Sequence, residues 1–281
     1  MKNKPLIGKV AIVTGAGSPT GLGRAMTLAL VRAGARVAML DINETWLEQS
    51  AKDIRKAGGD DCVLLQQCDV SDPESAQEAV SRTIAGLGGL HILINNAGIL
   101  KTSERQTYTR TNFWDITPET WSNTMAVNGN GPFHMAKASV SHMLSQKWGR
   151  VIGVTTSVDT MYREGMSAYG PSKACHEAFV ALMSRELENT GVTANVLIPG
   201  GTVDTNMIPS GIEHEKTTLM QPEVMQAPAV WLASEESKST NGQRFIAYNW
   251  DESLPIKQRL EKAGAPAAWP QLGNQSINPW S

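Results

Sequence analysis

Seven short runs rich in Val, Ile, Leu and Ala constrain this chain more than any other feature (residues 10–14, 36–41, 62–69, 91–95, 150–156, 192–198 and 244–248). Most are nearly continuous in apolar residues rather than alternating. A strand with one wet face alternates; a strand covered on both faces does not, and that is the condition of a parallel sheet flanked by helices. Helical stretches with start signals separate the runs. Asp72-Pro73-Glu74 and Thr117-Pro118-Glu119 each supply a capping oxygen, a proline where no N–H is needed and an acid for the positive helix end. Strand and helix alternating in this way predict a single doubly wound α/β domain over residues 1–250, with right-handed crossovers and a seven-stranded parallel sheet. Residues 251–281 are expected to be an extension packed on that domain or on a neighbouring subunit. Pro255, Pro266, Pro270 and Pro279 prevent one continuous helix there, and Trp269 and Trp280 need a surface to lie against. A polar stretch, KTSERQTYTRTNFWD, interrupts the rhythm after the fourth run.

Composition removes several classes of function. A net charge of −2 gives no basic field to recruit nucleic acid. No run approaches the ~18 apolar residues of a membrane span, and charge and glycine break the N-terminal apolar stretch before a signal-peptide core forms. The three cysteines, Cys62, Cys68 and Cys175, are scattered and form no CxxC pair, so a reducing compartment, the cytoplasm, is expected. The five histidines show no metal-ligand spacing, and no metal is expected.

The first run leads into Gly15-Ala16-Gly17-Ser18-Pro19-Thr20-Gly21-Leu22-Gly23, and a helix follows. Glycines serve where a chain turns sharply from strand to helix and must let a diphosphate approach its backbone, while the helix N-terminus offers free N–H groups. Any tight strand-to-helix turn favours glycine, so the loop alone is a weak signal. Asp41 at the end of the second run strengthens it. A carboxylate there accepts both ribose hydroxyls of an adenosine and repels a 2′-phosphate, which together with uncharged Ile42 and Asn43 favours NAD over NADP. Arg24 and Arg36 are the nearby cations, read as opening a helix and a strand.

Tyr169 and Lys173 stand four residues apart, on one face of a helix expected over 172–189. A phenol free in water titrates near ~10, and a neighbouring ammonium favours its ionised form. The pair alone is weak; Ser157, twelve residues earlier and just past the fifth run, adds a hydroxyl able to bond a substrate oxygen.

At this point the chain, over residues 6–249, resembles the short-chain dehydrogenase/reductase family. The residues that carry the likeness are Thr14-Gly15 with Gly21-Leu22-Gly23, Asp69-Val70, Asn95-Asn96-Ala97-Gly98, Asn128, Ser157, Tyr169-x-x-x-Lys173 and Pro199-Gly200 with Thr205. The resemblance implies a Rossmann-type fold and Tyr169 as general acid/base, with Lys173 as its electrostatic partner and a ribose ligand. It implies that Ser157 orients the substrate and that Asn128 holds a water linking Lys173 to solvent. Gly15, Gly17, Gly21, Leu22 and Gly23 would cradle the diphosphate. Asp69 and Val70 would meet the adenine, Asn96, Ala97 and Gly98 would flank the cofactor, and Pro199, Gly200 and Thr205 would sit by the nicotinamide. The function so implied is NAD(H)-dependent hydride transfer with a small secondary alcohol or ketone, in a homo-oligomer (tetramer or dimer) joined through the helices that contain Asn128 and Tyr169.

The chain departs from the family pattern in three places. Five residues rather than three separate the first cradle glycine of the pattern from the next, Ser157 is twelve residues from Tyr169 where thirteen is commoner (leaving Thr156 as the lesser candidate), and Pro199 to Thr205 is one residue longer than usual. Met161, Tyr162 and Met166 suggest a largely apolar pocket, with Arg163 read as solvated or as a carboxylate grip. Met207 and Ile208, and less so Trp114, are candidates for a lid. Two rival classes share the fold: a non-catalytic NAD-binding regulator, against which the retained reactive residues argue, and an NAD-retaining isomerase or dehydratase, which is expected to carry a larger carboxyl-terminal substrate domain.

Overall fold

The computed structural model describes residues 4–100, 111–208 and 219–270. Strands β1 (Val10–Thr14), β2 (Arg36–Asp41), β3 (Val63–Gln67), β4 (Ile92–Asn95), β5 (Gly149–Val154), β6 (Val192–Ile198) and β7 (Gln243–Ile246) alternate with helices. All seven pair in parallel in the order β3-β2-β1-β4-β5-β6-β7. The near-continuous apolar runs have the expected cause. On one face Ala11, Val13, Val37, Met39, Ile92 and Ile94 pack under α1 (Leu22–Arg32) and α2 (Glu44–Gly58). On the other, Val10, Ile12, Ala38, Leu40 and Leu93 pack under α3 (Pro73–Leu87), α5 (Gly131–Ser145) and α7 (Tyr169–Glu186). Successive strand residues thus point to opposite cores, and neither face tolerates a polar alternation.

The start signals act as caps. Asp72 accepts from the Glu74 N–H to begin α3, and Thr117 accepts from the Thr120 N–H to begin α4 (Pro118–Met125), each with proline in the first turn. Helix α7 begins at Tyr169, three residues earlier than expected, because Pro171 falls in its first turn, where a missing N–H costs nothing. Between α4 and α5 the helix widens into a π turn at Ala126–Asn130, with the Gly131 N–H reaching the Ala126 carbonyl.

The sheet has eight strands, not seven. After β7 the chain makes a short helix (Ile256–Ala263, labelled α9 after α6, Val158–Met161, and α8, Gln226–Ala233) and returns as β8 (Gly264–Pro266), antiparallel to β7. Gly-Ala-Pro carries no strand signal of its own; β8 is held by the ladder and by the close approach of Gly264 to the Phe245 ring. The described part of the extension therefore packs on its own domain. Trp250 at its root is buried against Trp231 and Phe245, with ring centroids at 5.2 and 6.1 Å. Trp280 and the polar residues 101–110 lie outside the described residues.

At the amino end of the sheet His91 takes a structural role. Its Nδ1 accepts from the Val10 N–H at 3.1 Å, which requires an unprotonated nitrogen. Burial, reinforced by the charges of Lys9, His142 and Arg36, lowers its pKa to about 4. A ring that stays neutral when folded but takes a proton near ~6.5 when unfolded makes unfolding proton-consuming between those values. Its stabilisation is complete above the unfolded value and declines as pH falls toward about 4. The urea midpoint is expected to drop across that window in the native chain, and to drop less steeply in His91→Gln; equal slopes in the two would exclude the assignment.

Candidate active site

The strand order reverses between β1 and β4, and the residues singled out above gather at the carboxyl edge beside that reversal. Asn96 Nδ2 donates to the Thr14 and Gly15 carbonyls at 2.8 and 3.1 Å, and Thr14 Oγ1 accepts from the Asn96 and Ala97 N–H groups at 3.0 and 2.9 Å. Asn96-Ala97 thereby pins the end of β4 to the turn after β1. Gly15 has φ +64°, and a Cβ at Gly23 would overlap the Gly15 carbonyl oxygen and stand 2.7 Å from Asn96 Nδ2. Only glycine lets α1 start this close to the strand.

The cradle fits a dinucleotide on two counts. The N-cap of α1 is Gly21, which has no side chain to bond the first amides, and among the described residues Ser18 Oγ is buried without a partner. A buried hydroxyl and free amides facing one bend are complementary to diphosphate oxygens. Asp41 stands at the far wall: Oδ2 accepts from the Gly17 N–H at 2.9 Å and Oδ1 from the Asn43 N–H at 3.0 Å. Arg24 is turned away to Asp53 at 2.9 Å, and Arg36 donates to the Leu87 carbonyl, so neither arginine is directed to the space beside Asp41. Asp69 closes an Asx turn, accepting from the Ser71 N–H and hydroxyl, and Val70 packs on Gly131. Beyond β6, Gly200 has φ +105° and Pro199 accepts from the Tyr248 N–H. Thr205 Oγ1 accepts from the Met207 N–H, and Thr20 of the glycine loop donates to Asn206 at 2.9 Å, joining the two loops.

The reactive groups lie on one stripe of α7. Tyr169 is half-buried, and Lys173 is 3% exposed with Nζ 5.8 Å from the tyrosine ring centre, donating to the Val154 carbonyl at 3.0 Å. A Cβ on Gly98 would stand 3.2 Å from Lys173 Nζ and 3.3 Å from Asn128 Oδ1, so glycine there lets the backbone pass close to both groups. Asn128 is fully buried, and its amide is committed: Oδ1 accepts from Ile99 N–H at 2.8 Å, and Nδ2 donates to the Ile99 carbonyl at 2.9 Å and to Ser172 Oγ at 3.0 Å.

Two expectations change here. The side chain that acts on the Tyr169 phenol, lowering its pKa, is that of Thr156, thirteen residues before it. Ser157 is instead the cap of α6: its Oγ lies 2.8 Å from Thr160 Oγ1 and accepts from the Thr160 N–H at 3.3 Å. In addition, the protein by itself does not make the phenol acidic. Burial pushes Tyr169 up to about 12 against the smaller, opposing effect of the Thr156 bond, and burial pulls Lys173 down to about 8. Desolvation disfavours both charged forms more than this pair's proximity favours them.

Other candidates separate by surroundings. His176, next to Lys173 on the helix, is fully buried with neither ring nitrogen bonded, and burial together with the Lys173 charge keeps it neutral. Cys62 and Cys68 are buried and their thiols are pushed up by burial, unsuited to redox chemistry. Among the described residues no group of three or more His, Cys, Asp or Glu could hold a metal. Met161 is buried; Tyr162 and Arg163 are exposed, with the Tyr162 hydroxyl donating to Asp159 at 3.0 Å. Trp114 is exposed and packs edge-on to Phe113. Sequence reasoning missed Glu177 and Arg244, a buried pair behind Thr156 at 2.9 Å; the available signal was a charged residue inside an otherwise apolar seventh run.

With this geometry in view, comparison with known proteins decides the family. Residues 9–216 match the short chain dehydrogenase family model. The chain belongs to the short-chain dehydrogenase/reductase family. It is 30% identical over 245 residues to a 2,5-dichloro-2,5-cyclohexadiene-1,4-diol dehydrogenase of Sphingobium indicum, covering 84% of this chain and 93% of that one. It is 32% identical over 248 residues to the 3-oxoacyl-(acyl-carrier-protein) reductase of Vibrio cholerae, covering 85% and 95%. Among solved structures, a short chain dehydrogenase from Shigella flexneri complexed with NADP superposes with a TM-score of 0.78 at 26% identity, covering 88% and 100%. The chain is thus an oxidoreductase of a family that binds a nicotinamide cofactor. Among the described residues no helix is long and apolar enough to cross a membrane.

The two hydroxyls separate by substitution. Thr156→Val is expected to lower kcat by ~10²-fold or more, the usual cost of removing one donor at a reacting oxygen. Ser157→Ala is expected to lose less than tenfold and to cost ~1 kcal/mol of stability through the lost cap. Steady-state turnover and urea melts of the two variants check this, and the reverse ranking would restore Ser157.

Proposed function

We propose that this enzyme transfers a hydride between NAD(H) and a small secondary alcohol or ketone, with Thr156, Tyr169 and Lys173 as the reacting-end residues. The observation that carries the reading is the Lys173 ammonium 5.8 Å from the Tyr169 ring centre on one stripe of α7, with Thr156 acting on the phenol, at the same carboxyl edge of the sheet as the glycine cradle and Asp41. Ser18, Leu22 and Gly23 would hold the diphosphate, Asp41 the adenosine ribose, and Lys173 the nicotinamide ribose, while the N–H groups of Gly17 and Gly21 are already spent on Asp41 and on the Ser18 carbonyl. When bound, the oxidised cofactor supplies the hydride acceptor and a positive ring charge that favours the phenolate. In the oxidising direction the Thr156 hydroxyl orients the substrate oxygen and Tyr169 Oη takes its proton. The Lys173 ammonium holds the phenolate, and the proton leaves along Lys173 Nζ toward the Asn128 turn. In reduction Tyr169 donates the same proton. Alignment at the carboxyl edge and charge in a dry crevice are the protein's share of the chemistry.

NAD preference is supported by Asp41, whose carboxylate repels a 2′-phosphate, and by the engagement of Arg24 and Arg36 elsewhere. The Shigella neighbour's NADP is a property of that protein. Assembly as a dimer or tetramer is supported by Phe133 and Leu144 on α5 and Leu182 on α7, large apolar side chains 39–50% exposed on the two helices concerned; sedimentation would show a monomer if this is wrong. Three free cysteines are compatible with a cytoplasmic location.

Two measurements test the reading. Across a panel of secondary alcohols, hydroxy acids, sterols and aryl carbinols followed by NADH absorbance, kcat/KM with NAD should exceed that with NADP more than tenfold; equal use of the two overturns the cofactor assignment. Tyr169→Phe should lose nearly all turnover while binding NADH with unchanged affinity, and substantial residual turnover would remove Tyr169 from the role of base.

A further inference from the structure

At the end of β5 the chain leaves the sheet ladder, and the last strand residue and the two that follow it are each held by a different charged side chain. Lys173 Nζ donates to the Val154 carbonyl at 3.0 Å. Thr155 Oγ1 donates to Glu177 Oε2 at 2.9 Å. Arg244 Nη2 donates to the Thr156 carbonyl at 2.9 Å. Glu177 and Arg244 are themselves paired, with Nε on Oε1 at 2.9 Å and Nη2 on Oε2 at 3.4 Å, and the Ala268 N–H closes on Oε1 at 3.4 Å from beyond β8. Glu177 is fully buried and Arg244 is 11% exposed. Tyr169, Lys173 and Glu177 are spaced four residues apart on α7, so the base, the ammonium and this carboxylate form one stripe facing the same three residues.

A buried ion pair is a poor device for stability alone, since apolar residues of similar volume commonly serve as well or better. What this pair does that an apolar pair cannot is satisfy and fix polar backbone outside the ladder. We propose that Glu177 and Arg244 are positioning residues for the reaction: they set the Thr155–Thr156 backbone so that the Thr156 hydroxyl meets the Tyr169 hydroxyl. Arg244 acts on the Thr156 carbonyl and Glu177 on the preceding side chain, while the Ala268 amide ties the extension to the same carboxylate. Neither side chain touches substrate or cofactor. The kinetic part rests on the oxidoreductase reading above; the geometric part does not.

The test is a cycle on the full chain between Arg244→Met and Thr156→Val. Arg244→Met alone should lower kcat ten- to hundredfold with the dissociation constant for NADH changed less than threefold, and should add less than twofold in the Thr156→Val background. Full, independent losses in the double variant, or a kcat within twofold of native in Arg244→Met, would overturn the proposal. If Arg244→Met does not fold, the double change Arg244→Met with Glu177→Gln, which leaves no unpaired buried charge, takes its place in the cycle. A second arm needs no turnover. In chains labelled at tyrosine Cζ, with the Tyr169 resonance assigned through Tyr169→Phe, the Arg244 variant should displace that resonance in the direction Thr156→Val does and leave Tyr162 and Tyr248 unmoved. An unmoved Tyr169 resonance overturns the proposal. A native chain inactive on the whole alcohol panel would sink the oxidoreductase reading while the resonance still decides this one.

Discussion

The tie between Thr14 and Asn96-Ala97 is the constraint on which the site depends. It joins the two strands at which the sheet reverses its winding, and four hydrogen bonds converge there within 3.1 Å. Without it the glycine turn after β1 would lack a wall, because Gly15 and Gly23 carry no side chains to pack against anything. The absence of those side chains allows helix, strand and asparagine to approach within contact distance. A crevice at a reversal point is common to open α/β sheets; here its shape is set by side chain-to-backbone bonds rather than by bulky packing.

Much of the fold was legible because the parallel sheet leaves a strong imprint. Val10 to Thr14 and Ile92 to Asn95 read as continuous apolar runs because their alternate residues enter two separate cores. Caps at Asp72 and Thr117 were legible because their chemistry is local. The features that escaped are non-local. Nothing in Gly264-Ala265-Pro266 announces a strand; its pairing is imposed by β7 and by the turn of α9. The start of α7 was misplaced by a proline that a first turn accommodates. Between Thr156 and Ser157 sequence spacing differs by one residue, and where β5 ends and α6 begins decides their surroundings: Ser157 caps α6, while Thr156 acts on the Tyr169 phenol. The likeness to the family pointed to Tyr169, Lys173 and Asn128, and the family's usual spacing left Thr156 as the lesser candidate beside Ser157.

The electrostatics differ in kind from the first expectation. An ammonium one helical turn from a phenol is not sufficient to ionise it when the amine is buried and the phenol half-buried. Water removal acts on each group separately and drives both toward neutrality, with the phenol at about 12 and the amine at about 8. Lys173 keeps its orientation through the Val154 carbonyl, a neutral acceptor that fixes position without adding countercharge. The protein therefore contributes placement, and the balance between protonated and ionised tyrosine is left sensitive to charge brought in by a ligand.

The terminal strand has a bearing on behaviour far from the chemistry. A parallel sheet ending at β7 would expose a row of unpaired donors and acceptors, a template on which another chain could extend the sheet. β8 occupies those groups, and it is three residues long and ends in proline, which has no N–H to offer outward. That margin is thereby blunted against fibrillar growth.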